Sequence, residues 1–489
     1  MNLSELLKHI EVKSIDGTER MEITGIAFDS RAVKPGNLFV CISGFQTDGH
    51  EFARGAVEKG AIAVVAEREL TDVGVTLIQV ENSRLALANL AAAFYGHPDR
   101  SFCLIGITGT NGKTTTSYLV KSVLEAMGKK VGLIGTNQNM IGTEVIPTHH
   151  TTPDSLELMR LFAMMKDKGA DYVVMEVSSH SLVLDRVAAC SFDVGAFTNI
   201  TQDHLDFHNT MEEYLEAKGI LFRLAKVGAV NLDDTGAEYL LSHATCDSML
   251  TYGIEKDADM QASNVELNET GVKFDLSYQG ETYEVELGIP GKFSVYNAMT
   301  ALSCLAAAGI SMGDAVKYLK VARGVKGRVE MVETGRDYNV IIDYAHTPDG
   351  LLNVISTIRG FAKGRILVVF GCGGDRDKTK RPEMGKIAAE LADLAIVTSD
   401  NPRTEDPDAI IADILEGVKA AEGEYVVVPN RFEAIEYALD HAQKDDIVLL
   451  AGKGHETYQI LADRTISFDE REIVHKLLHN QGESAWSGF

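Results

Sequence analysis

Residues 106 to 115 read Gly106-Ile-Thr-Gly-Thr-Asn-Gly-Lys-Thr-Thr115, a run of small residues set between an apolar stretch and an amphipathic one. Ahead of it, Phe102-Cys-Leu-Ile has the composition of a buried strand. Behind it, Leu119, Val120, Val123, Leu124 and Met127 fall on one face of a helix that Gly128 ends. A strand, a glycine-rich loop and a helix in that order aim backbone N–H groups and the positive end of a helix dipole at one point, where phosphate oxygens can sit. Lys113 would reach the outer phosphates and Thr114 would hold Mg²⁺. Ile107 stands where the first glycine of G-x-x-x-x-G-K-T belongs, so the pattern is incomplete at that end. With the Lys-Thr pair and both flanks present, the segment predicts an α/β domain that handles a nucleoside triphosphate.

The rest of the composition narrows the class. A chain of 489 residues has room for roughly two to four domains with sizeable cores. Its formal charge of −25 argues against a general nucleic-acid binder, which needs a basic footprint. An acidic protein that takes up an anionic nucleotide must draw it in through local basic loops. Arg376, Lys378, Lys380 and Arg381 cluster in one such loop, and Lys453 stands in another. The first twenty residues carry charges throughout, and no apolar run approaches the length of a bilayer span. Cys41, Cys103, Cys190, Cys246, Cys304 and Cys372 stand singly, without a C-x-x-C pair. These features predict a reduced, cytoplasmic protein with no membrane insertion and no zinc site.

Two seams divide the chain, the loop Gly96-His-Pro-Asp99 and the segment Arg323-Gly-Val-Lys-Gly-Arg328. They predict units at residues 1–99, 100–326 and 327–489. Strand-like runs at 131–134, 172–177, 194–200 and 229–232 alternate with helices in the middle unit. Residues 260–267 and 272–278 there alternate like an antiparallel pair turning at Gly271. The last unit has strand candidates at 340–342, 366–370, 395–397, 425–428 and 447–450, which predicts a mostly parallel sheet covered by helices.

Polar clusters recur where these strands end, the position at which open α/β sheets bind ligands. They are Lys113-Thr114, Glu176-Val-Ser-Ser-His180, Asn199 to His204, Asp343-Tyr-Ala-His346, Asp375-Arg376, Asp400-Asn-Pro-Arg403 and Gly452-Lys-Gly-His-Glu456. Any one of them could be turn chemistry alone; seven in two sheets point to ligands. Glu176 is a hard oxygen donor suited to Mg²⁺ beside Lys113-Thr114. His204 reads either as a second cation ligand or as a structural histidine. Lys218 follows a capping box formed by Thr210 and Glu213 and shares a helix face with Tyr214, Leu215, Leu221 and Phe222. It is either a snorkelling lysine or a desolvated amine of lowered pKa, open to modification. Gly371-Cys-Gly-Gly-Asp-Arg376 approaches a dinucleotide fingerprint, but Arg376 takes the place of the third glycine and suits a carboxylate or phosphate better. Asp400-Asn-Pro-Arg403 offers a carboxylate and a guanidinium from one rigid turn, a match for an amino acid.

Taken together these residues resemble the Mur ligases, ATP-dependent amide-bond ligases of peptidoglycan precursor synthesis, over essentially the whole chain. The resemblance rests on Asp29-Ser-Arg31 with Pro35-Gly-Asn-Leu-Phe39, Thr108 to Thr114, Thr151-Thr-Pro153 and Glu176-Val-Ser-Ser-His180. It continues through Asp203-His-Leu-Asp206, Tyr214 to Lys218, Tyr296-Asn-Ala298, Gly327-Arg328, Asp343 to Pro348 and Gly452 to Glu456. It implies an α/β architecture of three domains, a UDP-substrate unit, a central P-loop ATPase unit with a mostly parallel sheet, and a Rossmann-like C-terminal unit. Within the family Asp400-Asn-Pro-Arg403 resembles the branch that adds meso-diaminopimelate to UDP-N-acetylmuramoyl-L-alanyl-D-glutamate; a lysine-adding relative and folylpolyglutamate synthase are the alternatives.

The residue roles implied by the resemblance are as follows. Gly109, Thr110, Asn111, Gly112, Lys113, Thr114 and Thr115 would cradle ATP, with Asn297, Arg328 and Asp343 as further contacts. Thr114, Glu176 and His204 would hold Mg²⁺, and Lys218 would be carbamylated by CO₂. Lys113, Lys218, Glu176 and His204 form the implied catalytic set. Ser30, Thr151, Thr152, Ser178 and Arg186 fall where the nucleotide-sugar substrate is held, whereas His150 departs from the family's usual asparagine. Arg376, Asp400, Asn401, Pro402, Arg403, Gly452 and Glu456 fall where the incoming amino acid is held. The implied chemistry passes through an acyl phosphate, and the expected state is a monomer.

Overall fold

The computed structural model describes residues 1–44, 47–71, 73–146, 150–204, 207–268, 271–322 and 324–479. Arg323 in the second seam, Leu205 and Asp206 in the His204 motif, and residues 269–270 before Gly271 lie outside the described residues. Continuous apolar runs need cover on both faces, and three sheets along the chain obtain it from the helices between their strands.

The first sheet orders its strands Ser14–Asp16, Thr76–Gln79, Ala61–Ala66, Asn37–Val40 and Gly25–Ala27, antiparallel at the first pair and parallel thereafter. Leu38, Val40, Ala63 and Val65 pack toward Leu87 and Leu90 of the helix Ser83–Phe94. Phe39 and Val64 face Ala53 and Ala56 on the other side.

The second sheet has eleven strands. Its middle is parallel, running Met260–Asn268, Ser248–Gly253, Ala225–Asn231, Phe192–Phe197, Cys103–Thr108, Tyr172–Glu176 and Val131–Ile134. Both edges fold back antiparallel, through Gly271–Tyr278 and Glu281–Leu287 on one side and Asn139–Ile141 and Glu144–Ile146 on the other. Ile107 is a strand residue, fully buried between Glu176 and Ala196 of the neighbouring strands, so no glycine is needed there. The expected antiparallel pair is present, with Asn268 opposite Gly271.

Some edges differ from expectation. The strand expected at 194–200 stops at Phe197, because the residues after it turn to support the phosphate loop. The strand expected at 229–232 begins at Ala225. Ser248–Gly253 and Glu281–Leu287 are strands beyond those expected. The latter buries only Val285 and Leu287 and exposes Glu281, Thr282 and Glu284, the signature of a polar edge. The helix expected to run to Phe222 ends at Gly219 and resumes as Leu221–Leu224. Its capping box is half formed: Thr210 Oγ1 accepts the Glu213 N–H at 3.1 Å, while Glu213 accepts the N–H of Asn209 at 3.0 Å.

The third sheet has six strands in the order Glu330–Val332, Asn339–Asp343, Ile447–Ala451, Ile366–Phe370, Leu394–Val397 and Tyr425–Val427. Only the first pair is antiparallel. Leu351, Ile355 and Met384 cover one face, and Ile435, Leu439 and Val474 the other. Among the described residues no helix is long and apolar enough to cross a membrane.

Candidate active site

The strand Cys103–Thr108 delivers the glycine-rich loop to the start of the helix Lys113–Ala126. Two glycines are required there. Gly109 has φ 144°, and a Cβ on it would come within 1.8 Å of Thr198 Oγ1. Gly112 has φ 85°, and a Cβ on it would meet Asn297 Oδ1 at 2.4 Å. The strand-end residues Thr198 and Asn199 hold the loop. Thr198 Oγ1 donates to Asn111 O at 2.6 Å, and Asn199 Oδ1 accepts the Asn111 N–H at 2.9 Å. Lys113 Nζ closes the loop by donating to the carbonyls of Gly109 at 2.9 Å and Thr110 at 2.8 Å. Burial lowers its pKa, against the pull of Glu176 and Asp203.

Glu176 ends the adjacent strand and is 1% exposed. Thr114 Oγ1 donates to its Oε2 at 3.0 Å, Thr136 N to Oε1 at 3.0 Å, and Thr136 Oγ1 to Oε2 at 2.9 Å. These donors are all neutral. With Thr114 the buried carboxylate makes a hard-oxygen pair suited to Mg²⁺. Among the described residues no three His, Cys, Asp or Glu side chains gather as a metal nest.

Lys218 is 1% exposed, with its Nζ 4.0 Å from the centre of the Tyr214 ring. Burial, followed by repulsion from Lys113, takes its pKa well below the ordinary lysine value, so the amine is pushed toward the neutral form. It is not a snorkelling lysine. Tyr214 Oη lies 3.2 Å from Thr110 Oγ1 and so ties the lysine's helix to the phosphate loop. His204 has φ 55° and sits beside Asp203, with its Nε2 3.4 Å from Asp203 Oδ2; burial lowers its pKa.

The third sheet supplies the opposite wall. Asp343 accepts the N–H groups of Val329 and Ala345, each at 2.8 Å, and burial raises its pKa despite Arg328. The Arg328 guanidinium lies 4.8 Å from the Tyr344 ring centre. Asp349, in the first turn of the helix Pro348–Arg359, accepts from Asn111 Nδ2 at 2.7 Å and Thr201 Oγ1 at 3.1 Å, joining the two walls. Between them lies a cavity of about 550 Å³, with Ile289, Phe293 and Val354 as its apolar part.

Three family models cover most of this chain: the Mur ligase middle domain at residues 107–305, the Mur ligase glutamate ligase domain at 327–454, and the Mur ligase family catalytic domain at 22–95. A UDP-N-acetylmuramoyl-L-alanyl-D-glutamate–2,6-diaminopimelate ligase of Caldanaerobacter subterraneus subsp. tengcongensis is 50% identical over 98% of this chain and 99% of its own. The chain belongs to the Mur ligase family. The Clostridium botulinum protein of the same name is 48% identical to this Mur ligase, over 98% of this chain and 99% of the relative. A solved structure of a ligase of that name superposes with a TM-score of 0.72 at 31% identity, covering 99% of this chain and 100% of that one.

The cavity of this Mur ligase brings together Gly109 to Thr115, Glu176, His204, Lys218, Asn297, Arg328 and Asp343, with Thr151 and Ser178 at its rim. Thr152 lies beneath that rim, donating from Oγ1 to Glu176 O at 2.9 Å and accepting Arg186 Nη1 on its own carbonyl at 2.9 Å. Ser30 does not line the cavity; it belongs to the first sheet's unit, where its carbonyl accepts Lys59 Nζ at 3.0 Å. His150 is exposed.

The remaining set gathers at the strand ends of the third sheet. Asn401 Nδ2 donates to Glu456 Oε2 at 2.9 Å, and a Cβ on Gly452 would lie 2.9 Å from Asp400 Oδ2. Arg403 Nη1 donates to Gly374 O at 2.8 Å, which orients the guanidinium, while Arg376 is exposed. Sequence reasoning missed Thr136, Asp349, Thr198 and the link from Tyr214 to Thr110. Of these Thr136 and Thr198 had a signal, since each closely follows the end of a strand, Val131–Ile134 and Phe192–Phe197.

Proposed function

We propose that this Mur ligase uses ATP to join an amine of meso-diaminopimelate to the D-Glu side carboxylate of UDP-N-acetylmuramoyl-L-alanyl-D-glutamate. On this reading the chain divides near residues 99 and 326. The first unit, with Ser30, the cavity-lining Thr151 and Ser178, and Thr152 and Arg186 behind them hold the nucleotide-sugar. Residues 109–115 with Asn297, Arg328 and Asp343 hold ATP. The carboxylate attacks the γ-phosphate and releases ADP; the amine attacks the resulting acyl phosphate, and the tetrahedral intermediate expels phosphate. Lys113 neutralises charge on the transferring group, and the loop's N–H groups orient it. Mg²⁺, held by Thr114 and Glu176 with His204 nearby, would screen the phosphate oxygens.

Thr136 orients Glu176 through two hydrogen bonds. Thr136→Val keeps the backbone donor and loses the hydroxyl. It should raise the Mg²⁺ concentration for half-maximal activity by about tenfold, as expected for one lost bond to a charged group. A titration of activity against Mg²⁺ checks this.

The observation that carries the choice of amino acid is Arg403, pinned by the Gly374 carbonyl beside Asp400, Asn401 and Glu456. The distal carboxylate of meso-diaminopimelate suits a guanidinium, and lysine has no such group. Removing the arginine removes that grip without building a site for an ammonium group. Arg403→Ala should therefore raise KM for meso-diaminopimelate by roughly ten- to a hundredfold, with little gain for lysine and little change for ATP. Steady-state kinetics with both amino acids test this. A preference for lysine in the unmutated enzyme would overturn the reading.

A further inference from the structure

We infer that Arg381 and Glu405 form an ionic clamp that positions the loops bearing Arg376 and Arg403, and so are positioning residues for the incoming amino acid. The inference rests on the reading of those loops given above. Arg381 lies in the helix Lys380–Leu391 and is 1% exposed. Its Nη1 donates to Glu405 Oε2 at 3.1 Å and Asp413 Oδ2 at 2.8 Å, and its Nη2 donates to Glu405 Oε1 at 2.9 Å. This is a two-pronged guanidinium–carboxylate contact with a fixed mutual orientation. Hydrogen bonds from Arg381 hold the Glu405 carboxyl down at about 2, so the clamp stays charged at working pH.

Glu405 passes that orientation to the facing loop. Its Oε1 also accepts the Asp375 N–H at 2.6 Å. The Asp375 carboxylate in turn accepts Thr404 Oγ1 at 2.7 Å and Thr404 N at 3.2 Å. One residue away, Gly374 N donates to Asn401 O at 2.9 Å, and Gly374 O accepts Arg403 Nη1 at 2.8 Å. The loop of Arg376 and the turn of Arg403 are thus stitched together, with the clamp on their buried side.

Backbone strain points the same way. Asp375 and Arg403 both have φ 53°, the left-handed region that residues with a Cβ avoid. Such residues persist only where their surroundings over-determine them, and they concentrate at functional sites. Here Asp375 is held by Glu405, and Arg403 donates its N–H to Ile460 O at 3.1 Å. An ion pair between the buried Arg381 and the partly exposed Glu405 is also a poor way to gain stability alone, since apolar side chains of similar volume commonly do as well. Orientation of two ligand-binding loops is what this pair adds.

The test is a double-mutant cycle between Glu405→Gln and Arg403→Ala, with thermal melting and nucleotide binding as controls of folding. Glu405→Gln keeps the shape and the acceptor for Asp375 but weakens the clamp. It should raise KM for meso-diaminopimelate by about tenfold and leave KM for ATP within about twofold. On the Arg403→Ala background the same change should add only about threefold, because the part of its effect that passes through Arg376 remains. Arg381→Lys should fall between the unmutated protein and Arg381→Met. Full additivity, an unchanged KM for the amino acid, or loss of nucleotide binding together with the fold in both clamp variants would overturn the inference. If the unmutated enzyme does not use meso-diaminopimelate, the amino-acid assignment fails instead. The same cycle with the amino acid it does use then decides the clamp.

Discussion

Lys113→Ala is expected to lower ligation by about 10²–10³-fold or more while the protein stays folded, since a preorganised charge at a transferring phosphoryl group has at least that effect. The Lys113 ammonium donates to the loop's own carbonyls, Gly109 O and Thr110 O. Burial lowers its pKa against the pull of Glu176 and Asp203, so phosphate oxygens beside it would stabilise the ammonium form. Removing it takes away a buried polar group and leaves the supports from Thr198 and Asn199 in place. Thermal stability should therefore change little while turnover collapses. Lys113→Arg should also fail, because a planar fork cannot occupy the place of a compact ammonium. Assays of ligation and ATP hydrolysis, paired with melting curves, check both. Near-normal ligation by folded Lys113→Ala would remove the phosphate loop from the mechanism.

Lys218 should be equally indispensable for a different reason. Its amine is buried over the Tyr214 ring, and its pKa lies well below the ordinary lysine value. A neutral amine can attack CO₂: the N–C bond would form, a proton would leave, and an anionic carbamate would line the cavity. Lys218→Ala should lose activity, and short carboxylic acids should partly restore it by standing in for the carbamate.

The same burial makes a statement about stability. The folded state disfavours the protonated amine, so in CO₂-free buffer its contribution is a penalty. That penalty is largest below the lowered folded pKa. It fades as pH rises toward about 10.4, the unfolded value, because over that window the unfolded chain binds the extra proton. Lys218→Met should then be more stable than the parent, with a margin that shrinks as pH rises, although it is inactive. Melting curves at two pH values and acid-rescue kinetics test the pair. A melting temperature equal to the parent's at both values, together with no rescue, would show a lysine with no special environment.

Much of this site is legible in the chain because its chemistry is local. A strand, a glycine-rich loop and a helix are contiguous, and their order alone places Lys113 and Thr114 at a helix N-terminus. The apolar spacing around Lys218 places it on one helix face with Tyr214, but only the structure decides that it is buried over that ring instead of snorkelling. The edge strand Glu281–Leu287 was overlooked although Tyr283, Val285 and Leu287 alternate with Thr282, Glu284 and Glu286; the glutamates on its open face have low strand propensity and weaken the signal.

What the sequence by itself determined is therefore the set of chemical groups and their local frames: the phosphate cradle, the carboxylate Glu176 at a strand end, a lysine on an apolar helix face and the Asp400-Asn-Pro-Arg403 turn. Only the tertiary structure decided how they meet. Parallel register sets Ile107 against Glu176 and so brings that carboxylate to Thr114. Contact between units sets Asp349 on Asn111. The pairing of Arg381 with Glu405 sets the aim of Arg403. Each of these contacts joins residues far apart in the chain through sheet register or packing, and no local pattern of side chains encodes a partner at that distance.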